Sequence, residues 1–185
     1  MAGKRVLVID ADVRKHNLSL NYGHTFGLTN YLADEHIQLS EFVKVNGLGN
    51  GVDFLPAGNT PPNPSELLMS DRLEKLIDAM RQQYDYIIID STPMFAVADA
   101  NIVNRVADMT LFVIRVGVQN RDFLPELDNM YKSKRLHNLC VVVNDADVKN
   151  GRYGCGYGYG YGYGYSRENK SKKNRVKRIL KRIKK

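Results

Sequence analysis

Cysteine is scarce in this chain of 185 residues: there are two, Cys140 in an apolar run and Cys155 in a glycine-rich tail. Two cysteines cannot build a disulfide framework, and neither has a CxxC partner or a nearby pair of histidines that would suggest a zinc site. A reducing compartment suits such usage. Long hydrophobic runs are also missing: none approaches the length of a membrane span, and the chain opens into a strand-like stretch rather than a signal peptide. The expectation is a cytosolic chain, peripheral to a membrane at most. An even spread of positive charge is the third absence. The net charge is +7, but from Arg167 onward there are eleven Lys or Arg against one Glu, leaving sixteen cations against nineteen anions in the rest. The body is mildly acidic and the basic character is local, which argues against nucleic acid as a partner.

What is present is 43% hydrophobic content, enough for one core of ordinary size. RVLVID at residues 5–10 is a continuous apolar run ended by a carboxylate, as expected of a strand buried on both faces of a parallel sheet. VDFL at 52–55, YIIID at 86–90, MTLFVIRV at 109–116 and LCVVVN at 139–144 have the same character. Helical spacing lies between them. It is clearest over 64–83, where Leu67, Leu68, Leu73, Leu76, Ile77 and Met80 recur, Asn63 can cap, Pro64 fits the first turn and Glu66 completes a capping-box arrangement. Shorter candidates cover 102–107 and 123–136. Strands alternating with helices predict a doubly wound, mostly parallel α/β sheet, with ligands at the carboxyl ends of the strands. That is where the acidic residues fall.

In VLVIDADVR, Asp10, Asp12 and Arg14 alternate just past a strand end, so an extended chain would send all three side chains to one side. Asp90 ends a second strand in YIIIDSTP, a place from which a carboxylate can help hold Mg²⁺ beside nucleotide phosphates. Strand-end aspartates also cap turns and helices, and either reading suits any one of them alone.

Together with PAGNTPPNPSELL at 56–68, these segments resemble the bacterial tyrosine autokinases (BY-kinases) of capsular and exopolysaccharide biosynthesis. VLVIDADVR is similar to the family's Walker A-prime motif, YIIIDSTPMFAVADA to its Walker B segment, and the Tyr-Gly tail to its C-terminal tyrosine cluster. Thr92 stands where a proline is common, with little consequence expected. The resemblance implies a P-loop NTPase-like fold related to MinD and ParA, ATP and Mg²⁺ as cofactors, and phosphorylation of tail tyrosines in trans. It casts Asp10, Asp12 and Asp90 as catalytic residues, with Asp10 and Asp90 in the metal shell and Asp12 accepting the proton of the incoming tyrosine. Arg14 would steady phosphate charge or be solvated, Asn144 would contact adenine or form a turn, and Asp99 is a weaker candidate. The family's GxxxxGK[ST] loop does not occur in the sequence, Gly3-Lys4 lacking the upstream glycine and the Ser or Thr. Hence the expectations of a domain truncated at its N-terminus, a sheet short of a central strand, and a chain inactive alone.

Three segments follow: a partial kinase domain at 1–150, a tyrosine-rich flexible tail at 151–168 and a basic amphipathic segment at 169–185. Tyr153, Tyr157, Tyr159, Tyr161, Tyr163 and Tyr165 sit among glycines that leave each phenol accessible, which suits phosphoacceptors. Val176, Ile179, Leu180 and Ile183 line one face of the terminal segment, which fits weak contact with anionic lipid or a solvated tail. The partners implied by the resemblance are a membrane activator of the polysaccharide co-polymerase type, further copies in a ring and a tyrosine phosphatase. They place the chain at the inner face of the plasma membrane. Two other readings stay open: a non-catalytic phosphoacceptor module and a MinD/ParA-type ATPase.

Overall fold

The computed structural model describes residues 3–146 except 24, 39–40, 95–97 and 119–120. Its elements in chain order are β1 (Val6–Asp10), α1 (Asn17–Asn21), α2 (Leu28–Ala33), β2 (Val52–Leu55), α3 (Pro64–Met69), α4 (Asp71–Arg81), β3 (Tyr86–Asp90), α5 (Asp99–Asn104), β4 (Leu111–Arg115), a 3₁₀ turn (Arg121–Phe123), α6 (Leu124–Lys132) and β5 (Cys140–Asn144). All five predicted strands form. Every ladder is parallel, so the alternating α/β reading holds.

The strands divide into two sheets, β2-β1-β3 and β4-β5, with no ladder joining β3 to β4 among the described residues. In the first, Leu7 and Ile9 of β1 and Leu55 of β2 pack into a core with Leu68, Leu73, Leu76, Ile77, Met80 and Val103 from α3, α4 and α5. Such burial of branched side chains is the main stabilising contribution, at roughly 25 cal/mol per Å² of apolar surface. The other strands are less covered than the apolar runs suggested. On β3, Tyr86 and Ile88 remain exposed, and every side chain of β5 is exposed.

The long helix expected over 64–83 is two helices. Ser70 adopts an extended backbone (φ −65°, ψ 149°), ends α3 and starts α4. Its hydroxyl donates to the Leu67 carbonyl at 2.7 Å, which also accepts the Ser70 backbone N–H at 3.2 Å, so one residue closes the end of α3 twice. Asn63 does not cap through its side chain; its amide instead donates to Glu66 Oε2 at 2.9 Å, so Glu66 is tied to a side chain rather than to backbone. The candidate over 102–107 begins earlier, at Asp99, and that over 123–136 is shorter, ending at Lys132.

Behind β2 the chain closes on itself through backbone. Leu28 N–H donates to the Pro56 carbonyl and Thr29 N–H to the Ala57 carbonyl, both at 2.8 Å. This close approach requires a glycine at 27, where an added Cβ would overlap the Pro56 carbonyl, and a positive φ of 85° at Gly58. The PAGN loop is thereby fixed against the start of α2.

Candidate functional site

The site lies at the carboxyl ends of β1, β2 and β3, the edge where open α/β sheets bind ligands. Asp10 and Asp90 end adjacent strands and are direct register partners. Asp12 follows two residues after Asp10. The three carboxylates act on one another: Asp90, although exposed at the end of β3, is held above the usual carboxylate range, by partial desolvation first and then by the negative charges of Asp10 and Asp12.

The two acids of β1 and its exit are not equivalent. Asp10 is fully buried, and both of its oxygens are occupied. Oδ2 accepts from the Ser19 backbone N–H at 2.9 Å and from the Ser19 hydroxyl at 2.5 Å, while Oδ1 accepts from Asp12 N–H at 3.2 Å. Ser19 Oγ in turn accepts from Ala57 N–H at 2.8 Å, so Asp10 ties β1, α1 and the loop after β2 into one buried network. Asp12 is only partly buried, and its Oδ1 accepts from Lys15 N–H at 3.1 Å.

The extended geometry expected for Asp10, Asp12 and Arg14 does not occur. The chain turns after Asp12, whose carbonyl accepts from His16 N–H at 2.7 Å, and His16 takes a left-handed backbone with φ 37°. Arg14 is instead held by one edge of its guanidinium. Its Nε donates to Asp99 Oδ2 at 2.5 Å, and its Nη2 donates to Asp99 Oδ1 at 3.1 Å and to Ser65 Oγ at 3.0 Å. Arginine 14 is therefore not a freely solvated side chain, and Asp99 is a fully buried partner. This pairing keeps Asp99 below the usual carboxylate range against the opposing effect of burial. Asn144 is not brought to the carboxylates. It ends β5 in the other sheet, and its Oδ1 accepts from Asp145 N–H at 2.8 Å. Tyr153, Tyr157, Tyr159, Tyr161, Tyr163 and Tyr165, like the basic segment at 169–185, lie outside the described residues.

Nothing in NLSLN marks Ser19 in the sequence. Its role depends on Ala57, 38 positions away. Thr92 is buried beside Asp90. It is 6% exposed, and neither its hydroxyl nor that of Ser91 has a partner among the described residues.

The residues present fit a hard divalent cation beside phosphates. The donors are carboxylates, their mutual repulsion would be relieved by a cation, and two unsatisfied hydroxyls adjoin Asp90. No group of three or more His, Cys, Asp or Glu among the described residues could hold a metal by itself. Water and phosphate oxygens would complete the shell, as is usual for Mg²⁺.

A family model described as AAA domain matches residues 1–134. The tyrosine-protein kinase etk of Escherichia coli K12 is 42% identical over 118 residues, which are 62% of this chain and 16% of that protein. The putative tyrosine-protein kinase EpsB of Ralstonia solanacearum is 38% identical over 159 residues, 83% of this chain and 20% of that protein. The solved kinase domain of Escherichia coli tyrosine kinase ETK superposes with a TM-score of 0.70 at 33% identity, covering 86% of this chain and 62% of that one. This chain thus spans about a sixth to a fifth of the length of these curated relatives. With its parallel sheet, its strand-end carboxylates and these relatives, the chain belongs to the AAA-domain family and, within it, to the bacterial tyrosine kinases.

Proposed function

We propose that this chain carries the carboxylate side of an ATP-dependent protein-tyrosine phosphotransfer site, and that its own tail tyrosines are acceptors in the control of capsular or exopolysaccharide synthesis. The observation that carries the reading is the convergence of Asp10, Asp12 and Asp90 on one sheet edge, with Asp90 held high by partial desolvation and then by its two neighbours. Bound Mg²⁺ would draw charge from the phosphates of ATP. Asp90 and Asp10 are the residues to hold it, Asp90 towards the ion and Asp10 from the buried side, where its hydrogen bonds fix the strand end. Asp12, less buried, is the group to accept the proton of an incoming tyrosine, whose hydroxyl titrates near ~10 and is a poor nucleophile until that proton is taken. Asn144 as an adenine contact has no support in its surroundings and stays a proposal from resemblance alone.

The membrane activator, the ring of further copies, the phosphatase and an inner-membrane location belong to the same proposal. No helix among the described residues is long and apolar enough to cross a membrane. A second reading, a phosphoacceptor module without catalysis of its own, is favoured by one feature: the sequence contains no GxxxxGK[ST], the nest of backbone N–H groups that cradles phosphates in P-loop enzymes.

One experiment separates the two. Purified chain is incubated with ATP and Mg²⁺, alone and with the intact etk kinase, and tyrosine phosphorylation is mapped by mass spectrometry. The expectation is trace modification alone and strong modification of Tyr153–Tyr165 with the intact kinase. Strong modification by the chain alone, lost in Asp12→Asn, establishes catalysis without the loop. Absence of tail modification under both conditions overturns the acceptor role.

A further inference from the structure

The buried contacts of Asp99 join three segments that are far apart in the chain. Asp99 starts α5, downstream of β3; Arg14 lies in the loop after β1; Ser65 lies in the first turn of α3, downstream of β2. Those three strands are neighbours in the order β2-β1-β3. One carboxylate with no exposed surface therefore gathers the segments following all three strands on the ligand-binding edge.

The contacts leave little freedom. Arg14 presents its Nε and Nη2 edge to the two oxygens of Asp99, the two-point geometry that fixes a guanidinium in plane. Ser65 closes a triangle, its hydroxyl donating to Asp99 Oδ1 at 2.8 Å and accepting from Arg14 Nη2. This uses the Nε proton and both Nη2 protons. The two Nη1 protons have no partner among the described residues, on a side chain 38% exposed, and the negative charge of Asp12 acts on Arg14 as an attraction. An arginine serving only to neutralise Asp99 would not need the serine, nor to sit in the loop that carries Asp12.

We infer that Asp99 and Ser65 are positioning residues that lock Arg14 by one edge, so that its free Nη1 meets a phosphate anion beside Asp12. The inference rests on the phosphotransfer reading above for the nature of the anion. The lock itself depends on the geometry alone. Asp99 acts through Arg14 and touches no reacting atom, and Ser65 gives the PPNPSELL segment a role at the site in addition to helix initiation. A lysine at 14 could keep the charge but not the plane, because it offers a point charge without the fork.

Nitrogen-detected NMR of arginine side chains in the full chain reads both parts. In the wild type, the Arg14 Nε–H is expected to exchange with solvent at least tenfold more slowly than those of exposed arginines, and its resonance is expected to shift on titration with inorganic phosphate. Asp99→Asn keeps the size but loses one strong acceptor, and Ser65→Ala removes the third corner. Both are expected to speed exchange, and Asp99→Asn to weaken phosphate about tenfold, the effect of losing roughly one charge-assisted hydrogen bond. Arg14→Lys is expected not to restore binding. Far-ultraviolet circular dichroism confirms that each variant is folded, and Ser65→Ala serves if Asp99→Asn is not. Rapid exchange of Arg14 in the wild type overturns the lock. A slow Arg14 with unaltered phosphate affinity in both variants overturns positioning. A slow Arg14 that never responds to phosphate overturns the anion role while leaving tail phosphorylation, measured separately, to decide the kinase reading.

Discussion

The residues at the strand ends differ in how they hold their charge, and the difference has a measurable sign. Asp10 sits among donors, whereas Asp90 faces Asp10 and Asp12 with partial desolvation, so its folded carboxyl binds a proton more tightly than the ordinary value of 3.8 allows. In the window above that value the folded state holds more protons than the unfolded one, and stability falls as pH rises through it. Asp90→Asn removes the penalty. The expected outcome is a higher thermal midpoint for Asp90→Asn at pH 7 and no difference below about pH 3.8, measured by calorimetry across pH; a lower midpoint at pH 7 would mean that Asp90 is stabilised by a partner. The strand-end acids were legible in the sequence because a carboxylate closing an apolar run has few other places to go. Arg14 was legible as a residue but not as a geometry. Its partner Asp99 is 85 positions away, and no local pattern reports a turn made by the Asp12 carbonyl and His16.

At the scale of elements, spacing predicted strands well and helix boundaries less well. Leu67 and Leu68 of α3 and Leu73, Leu76, Ile77 and Met80 of α4 face one core, so the period reads as continuous across the break. The sequence does carry a sign of it: buried Leu68 is followed by buried Leu73, a step of five where a continuous helix repeats at three or four. The junction is held from outside by Arg105, whose Nη2 donates to the carbonyls of Leu68 at 2.9 Å and Ser70 at 2.7 Å, while its Nη1 pairs with Glu74. The Leu68 carbonyl belongs to the end of α3, which leaves its last carbonyls without helical partners, while the Ser70 carbonyl also accepts from Leu73 N–H at 3.2 Å at the start of α4. Arg105→Met keeps the apolar stem and removes the donors. It is expected to cost about 2 kcal/mol in urea unfolding, the scale of hydrogen bonds from a charged donor. Arg105→Lys should recover only part of that, because an ammonium group does not reproduce the planar fork. Equal stability of Arg105→Met and wild type would show the junction to be held by Ser70 and packing alone.

Over the whole molecule, burial is uneven in a way that the strand sequences concealed. Parallel strands are ordinarily covered on both faces, which is why an apolar run predicts a doubly buried strand. On β1 that reading holds in part, with Leu7 and Ile9 at 0% exposure. On β3 and β4 it does not: Tyr86 is 58%, Ile88 54%, Leu111 60% and Val113 55% exposed. The two strands also carry ladder groups on the sides that face away from β1 and β5, since no ladder joins them among the described residues. Exposed apolar side chains next to open strand edges favour association of copies through strand addition. Purified chain is therefore expected to sediment faster with increasing concentration and to bind a hydrophobic dye. Placing a lysine at each of two positions, Ile88→Lys with Val113→Lys, should suppress both effects, because a charge on a bare strand opposes pairing and neither substitution fills a buried site. The thermal midpoint should change little at low concentration, where association contributes nothing to the folded state. If the unsubstituted chain remains monomeric and does not bind the dye, these faces are covered in solution. If the double lysine variant instead unfolds, Ile88 and Val113 contribute to the core, and the uneven burial is not what drives association.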